Sequence, residues 1–193
     1  MNESKTPIQN RAIETRQKIV SAAYSLFFTN GYKKTNTIII AKKANVSVGI
    51  VHSYFKNKDE LLEMWLDDLL KRCDNYFYNQ FKLKSFSVEL SLIVGNILEK
   101  LSDTFFSSPL VKETSPYIIK TLNNFYDKAG KIFIKACNDA NVFIKNSYES
   151  IHVIINLIKS YNHDTKYRPS HINMEILKRR YVVAISSLMS QNA

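Results

Sequence analysis

The sequence predicts an all-α protein, and two observations carry that reading. Gly and Pro number only four each in 193 residues, too few for the many turns of a β protein. Apolar residues recur at helical spacing along most of the chain, and no stretch shows strong strand alternation. Hydrophobic residues make up 45% and charged residues 23%, a balance that forms a core and excludes wholesale disorder. The length suits one large domain, or a small one beside a medium one.

The elements follow in order. Residues 1–11 are polar, include Pro7, and read as a flexible basic arm. A helix runs from about Ala12 to Asn30, with Ile19, Ala22, Ala23, Leu26 and Phe27 on one face. Gly31 closes it by taking the left-handed conformation. A second, short helix spans Thr37 to Ala44, and Thr35, Asn36 or Thr37 can cap it through a side-chain oxygen. Ile40, Ala41 and Ala44 form its packed face, and Asn45 ends it, since Asn tolerates the left-handed turn. Val46 anchors the turn and Ser47 caps a third helix, "VGIVHSYF". Asn57 caps a fourth, whose first turn places Asp59 and Glu60 favourably against the helix dipole. This helix extends to about Phe81, with Leu62, Leu66, Leu69 and Cys73 along one side. Further helices are expected near 86–107, 109–112 (short), 116–138, 147–162 and 173–191. The stretch "IHVIINLI" is rich in β-formers, but its length and flanks favour a buried helix. "HDTKYRPSH" reads as a polar loop between the last two helices.

Charge narrows the function. The formal net charge is +10, which suits an anionic partner, nucleic acid first and an acidic membrane surface second. Residues 1–60 hold ten Lys and Arg against four Asp and Glu; the rest of the chain holds seventeen against thirteen. The excess is therefore concentrated in the first third. Cys73 and Cys137 lie far apart, so a disulfide framework or structural zinc site is not expected. The four histidines are scattered without metal spacing. No cofactor is implied. No phosphate-binding Gly loop, HExxH or nucleophile elbow appears, so catalysis is not expected. The N-terminus has no apolar signal core and no run reaches the ~18 apolar residues of a membrane span, so a cytoplasmic protein is expected.

Two short helices joined at Asn45 make a helix-turn-helix, whose second helix enters the DNA major groove. Ser47, His52 and Ser53 can donate to phosphates or base edges, and Tyr54 offers a phenolic hydroxyl. Val48 and Ile50, apolar and near the helix start, suit a thymine methyl. Gly49 costs roughly 1 kcal/mol of helix stability against Ala; close approach of backbone to DNA is one reason to keep it, and internal packing is the other. Thr35, Asn36 and Thr37 lie where free N–H groups favour a phosphate, and Lys58 lies at a comparable helix start.

Taken together, "TRQKIVSAAYSLFFTNGYKKT", "IAKKANVSVGIVHSYF" and "KNKDELL", in that order and spacing, resemble the DNA-binding domain of TetR-family transcriptional regulators. The resemblance covers about a third of the chain. Asn45 stands where Gly is usual, His52 where Tyr is usual, and Val48 and Ile50 where Lys and Thr are common. The resemblance implies a head at 12–58 (helix-turn-helix about 36–55) and a regulatory domain at 59–193. It also implies a homodimer through the last two helices (about 147–162 and 173–191), a palindromic double-stranded DNA operator, and a small-molecule effector that releases a repressor from it. An activator of the same fold is the alternative, and a non-specific architectural DNA-binding protein is a remoter one. An apolar or amphipathic effector would be lined by some of the aromatics Trp65, Phe105, Phe106, Tyr117, Phe125, Tyr126, Phe133 and Tyr148, with Trp65, Phe105, Phe125 and Tyr126 the leading candidates. Aromatics at helical spacing are otherwise core, and His152 reads as a core or interface histidine.

Overall fold

A computed structural model of the protein describes residues 7–82, 90–103, 105–167 and 169–191. They form eight α-helices, a 3₁₀ turn and one two-stranded ribbon. The chain folds as two compact units. The first joins residues 1–68 to a returning segment, 108–118; the second comprises 69–107 and 119–193. The division lies ten residues beyond the expected end of the head at Lys58, and the returning segment has no counterpart in the sequence reading.

In the first unit, α1 spans Pro7–Asn30. It starts earlier than the expected Ala12, because Pro at the first helical position gives up no hydrogen bond. The rest of the basic arm lies outside the described residues. α1 buries Ile19, Ala22, Ala23, Leu26 and Phe27. Gly31 ends it at φ +77°, its N–H donating to the Phe27 carbonyl. α2 (Thr37–Ala44) buries Ile40, Ala41 and Ala44. α3 (Val48–Tyr54) buries Val51, and Phe55 beyond it is also buried. α4 (Lys58–Lys82) starts in the first unit, where Leu61, Leu62, Trp65 and Leu66 complete the core. The Phe27 ring stacks on Tyr32 and on Trp65, with centroids 6.3 and 6.0 Å apart.

The returning segment seals the exit of α1. Its 3₁₀ turn, Pro109–Lys112, is capped by Ser108, whose hydroxyl also donates to the Phe27 carbonyl at 3.2 Å. Leu110 is fully buried. A Glu113 carboxylate oxygen accepts from the Lys33 amide at 2.8 Å. A Cβ on Gly31 would stand 2.6 Å from that carboxylate oxygen and 3.4 Å from Pro109 Cβ. Gly31 thus serves both the left-handed turn and the close approach of this segment.

The second unit holds the rest of α4, α5 (Leu90–Asp103), most of α6 (Pro116–Asp139), α7 (Ser147–Tyr167) and α8 (Met174–Ser186). α5 packs on both α7 and α8. The expected start of α5 at residues 86–89 lies outside the described residues. α7 continues through His163–Tyr167, so the expected polar loop begins later. Nor is α7 buried all round: Ile151, Ile154 and Ile158 face inward while His152 and Val153 are exposed. α8 ends at Ser186 rather than 191, because Met189–Gln191 (β2) pairs antiparallel with Val142–Ile144 (β1), Ile144 opposite Met189. Asn141 and Asn146, both at positive φ, bracket β1. Strands of three residues are too short to show an alternation in sequence.

Candidate nucleic-acid interface and apolar cavity

The helix-turn-helix is built from local hydrogen bonds. Asn36, not Thr35 or Thr37, caps α2: its Oδ1 accepts from the Ile39 amide at 2.9 Å. Asn45 takes the left-handed conformation at φ 55°, ψ 49°. The Val46 amide then reaches the Ala41 carbonyl and the Asn45 amide the Lys42 carbonyl, the pairing of a Schellman motif. Ser47 Oγ accepts from the Ile50 amide at 3.3 Å and caps α3. Asn57 Oδ1 accepts from the Asp59 and Glu60 amides, capping α4.

These bonds set which side chains face out. Ser47, Val48, Gly49, Ile50, His52 and Ser53 are all exposed, and Tyr54 is half-buried. Asn36 is exposed and Thr37 half-buried at the start of α2. Ser53 Oγ donates to the Ile50 carbonyl, leaving its oxygen lone pairs outward. A Cβ on Gly49 would meet nothing nearer than Ser47 Oγ at 3.9 Å. Internal packing therefore does not require this glycine.

Two expected contacts are turned inward. Thr35 is fully buried, and its hydroxyl donates to the Gly31 carbonyl at 2.7 Å. It holds the α1–α2 turn together and has no atom to offer a phosphate. Lys58 Nζ donates to the carbonyls of Tyr32 and Thr35 at 3.1 and 3.0 Å and lies 3.7 Å from the Tyr32 ring centroid. Burial lowers its pKa, opposed by the nearby Asp59 and Glu113 carboxylates. Two of the three ammonium N–H groups are thus spent inside the head, and Lys58 is first a residue of the fold. Tyr32 also donates a short hydrogen bond to Asp59.

The second unit encloses a cavity of about 400 Å³. Its walls come from α4 (Cys73, Phe77), α5 (Ile97, Leu98), α6 (Phe125, Tyr126, Phe133), α7 (Ile151, Ile154, Ile158) and Phe105 and Phe106 before the 3₁₀ turn. Phe105 lies 4.7 Å from Phe125, and Phe106 stacks on Tyr126 at 6.0 Å. Lys159 Nζ sits 4.2 Å from the Tyr126 ring centroid, and burial lowers its pKa. Burial pushes the Cys73 thiol up to about 11, which keeps it protonated and unreactive at neutral pH. Arg72 and Lys100 are the charged groups in the lining, which holds no carboxylate.

Five of the eight aromatics singled out from sequence line this cavity. Trp65 does not; it belongs to the first unit, stacked on Phe27. Tyr117 also lies in the first unit, 5.6 Å from Tyr32. Tyr148 is an exposed residue of α7, 5.9 Å from His152. A helical aromatic looks alike in sequence whether it faces a core, a cavity or solvent.

Residues 19–64 match the family described as bacterial regulatory proteins, tetR family. That stretch carries the DNA-binding head of the TetR family. Members of the TetR family are DNA-binding transcription regulators rather than enzymes. The chain is 42% identical over 57 residues to the HTH-type transcriptional regulator HbdR of Aromatoleum sp. strain CIB, a match covering 30% of this chain and 25% of that one. It is 41% identical over 56 residues to the probable acrEF/envCD operon repressor of Escherichia coli K12, covering 28% of this chain and 26% of that one. The matched stretch therefore spans about a quarter of each relative's length. The fold extends the likeness: a crystal structure of the regulator FadR from Bacillus subtilis in complex with stearoyl-CoA superposes with a TM-score of 0.65 at 16% identity, covering 89% of this chain and 97% of that one.

In this TetR-family head the sequence reading passed over part of the outward surface. Lys42 and Lys43 are exposed in the last turn of α2, and Lys33, Lys34 and Lys56 are exposed in the flanking turns. From Thr15 to Lys58 the chain contains no Asp or Glu. That signal was legible: an acid-free run with many lysines is a positive surface wherever it is exposed. Ile38, 64% exposed in the first turn of α2, had no such signal, because it sits in a run of three isoleucines of which one is buried. Among the described residues no group of side chains could hold a metal ion, and no helix is long and apolar enough to cross a membrane.

Proposed function

We propose that the protein is a ligand-responsive transcriptional repressor that binds a palindromic operator as a homodimer and is released by a small amphipathic molecule. The observation that carries this reading is an apolar cavity of about 400 Å³ in the same chain as an outward-facing helix-turn-helix. Asn36, Thr37, Ser47, Val48, Gly49, Ile50, His52, Ser53 and Tyr54 form the DNA face, flanked by the exposed lysines.

The effector's chemistry follows from the cavity wall. Aliphatic and aromatic side chains suit an apolar body, and Arg72 and Lys100 suit an anionic head. The Bacillus subtilis neighbour, crystallised with stearoyl-CoA, supports an acyl chain as the first class to try. The E. coli relative named as an operon repressor supports the sign of regulation. The dimer is supported by apolar side chains left exposed on the last two helices: Val153 on α7, and Ile176 and Val183 on α8. A signal has a short covalent route, since Phe105 and Phe106 line the cavity and Ser108, two residues on, holds the end of α1.

Two half-sites read by one dimer lie about 34–36 Å apart or a multiple of that, so a small displacement of either head breaks simultaneous binding. The test is selection of bound sequences from a random duplex pool, followed by titration of the protein–operator complex with long-chain acyl compounds. A two-fold symmetric site, released by a compound that the protein returns unchanged, is expected. Failure to enrich any sequence overturns the reading.

A further inference from the structure

The exposed residues of α3 are chemically unusual for a helix that reads bases. Arg and Lys make the bidentate contacts to guanine, Asn and Gln those to adenine, and Asp and Glu accept from cytosine. None of these types occurs from Ser47 to Phe55. The outward side chains are instead two branched aliphatics, an imidazole and two hydroxyls, with a bare backbone at Gly49. Val48 is 36% and Ile50 39% exposed, on the same short helix whose buried face is occupied by Val51.

Exposed aliphatics beside a strongly basic surface suit an apolar group carried by a polyanion. The major groove offers one such group, the C5 methyl of thymine. Gly49 lies between Val48 and Ile50, and a Cβ there would meet only Ser47 Oγ. A glycine on the exposed surface that internal packing does not require, and that weakens the helix, indicates close approach from outside. The lysines around the helix (Lys33, Lys34, Lys42, Lys43 and Lys56), in a stretch without carboxylates, complement the phosphates on either side.

We propose that Val48 and Ile50 read thymine methyl groups, so that each operator half-site is specified by thymines at the positions beneath α3 rather than by guanine or adenine hydrogen bonds. The inference rests on the DNA-binding reading above and adds to it the chemistry of the bases recognised.

The experiment uses the full chain and the best site enriched from the random duplex pool. Each thymine is replaced in turn by deoxyuridine, which removes the methyl and leaves the hydrogen-bonding edge unchanged. Loss of about fourfold in affinity is expected at one or two thymines per half-site, the equivalent of ~0.8 kcal/mol for one buried methyl. In Val48→Ala or Ile50→Ala the same replacement should have little further effect, since the partner of the methyl is gone. Both side chains are surface residues, and unchanged thermal unfolding of the variants confirms an intact head. If no replacement in the site matters, or if the deoxyuridine penalty persists in both variants, the inference is overturned while specific DNA binding stands. If no site is enriched at all, the DNA-binding reading falls, and the inference with it.

Discussion

The two units of this chain achieve their roles by opposite means. The first is specified by polar detail: Asn36, Ser47 and Asn57 cap three successive helices, Asn45 turns between two of them, and Lys58 and Thr35 hold backbone carbonyls. The second is specified by what its apolar side chains leave unfilled between α4, α5, α6 and α7. A surface that meets a fixed polymer needs backbone and side chains in set places. A cavity needs only walls, and many combinations of Ile, Leu and Phe make a wall. The first unit should therefore fail through single polar or backbone changes, and the second through changes of volume.

The largest expected effect tests the second half of that contrast. Phe125→Ala removes a buried ring that contacts Phe105 and lines the cavity. A loss of about 3–5 kcal/mol is expected in chemical denaturation, with effector response abolished. Near-native stability would mean that the ring covers the chamber without supporting it.

Next is Gly31→Ala. The residue would have to hold φ +77° with a Cβ 2.6 Å from the Glu113 carboxylate. Left-handed strain of about 1–2 kcal/mol is expected, plus loss of the Lys33 amide bond as Glu113 moves aside. Operator binding should weaken together with thermal stability. Weakened binding with an unchanged melting curve would place Gly31 in the interface instead.

Gly49→Ala should reverse that sign. Alanine has room inside the chain and a better helix propensity, so unfolding should become harder by up to ~1 kcal/mol. DNA affinity should nevertheless fall. A variant both more stable and equally tight would remove the argument for close approach at this position.

The smallest effects separate two lysines. Lys56→Ala should leave unfolding unchanged and reduce the slope of log K against log salt by about 1. Lys58→Ala should lower the melting temperature, because the Tyr32 and Thr35 carbonyls lose their donor. If the two variants behave alike, the head's lysines are interchangeable and the contrast fails at that point.

How much of this was legible follows from the range of the interactions. The caps, the Asn45 turn and the Gly31 exit depend on bonds two to five residues apart, so residue type at each position announces them. The outward exposure of Ser47, Val48, Ile50, His52 and Ser53 follows from the same local register. Lys58 turns inward onto the Tyr32 and Thr35 carbonyls, 26 and 23 residues back, on turns whose path no local pattern records. The burial of Thr35 is set by the packing around the same turn, although its own bond to Gly31 is local. Trp65 lies outside the cavity lining because α4 passes from the first unit into the second only after it, and the sequence has no mark at the crossing.

By itself, then, the sequence determined a helical protein with a TetR-type head, since periodicity, capping and turn chemistry are local properties of a chain. Tertiary structure alone decided that residues 108–118 return to that head, that Met189–Gln191 pairs with Val142–Ile144, and that Phe105, Phe106 and Tyr126 share a chamber that Trp65 does not enter. Those facts rest on contacts tens of residues apart in the chain. They are set by how whole faces pack, and no single stretch of residues contains them.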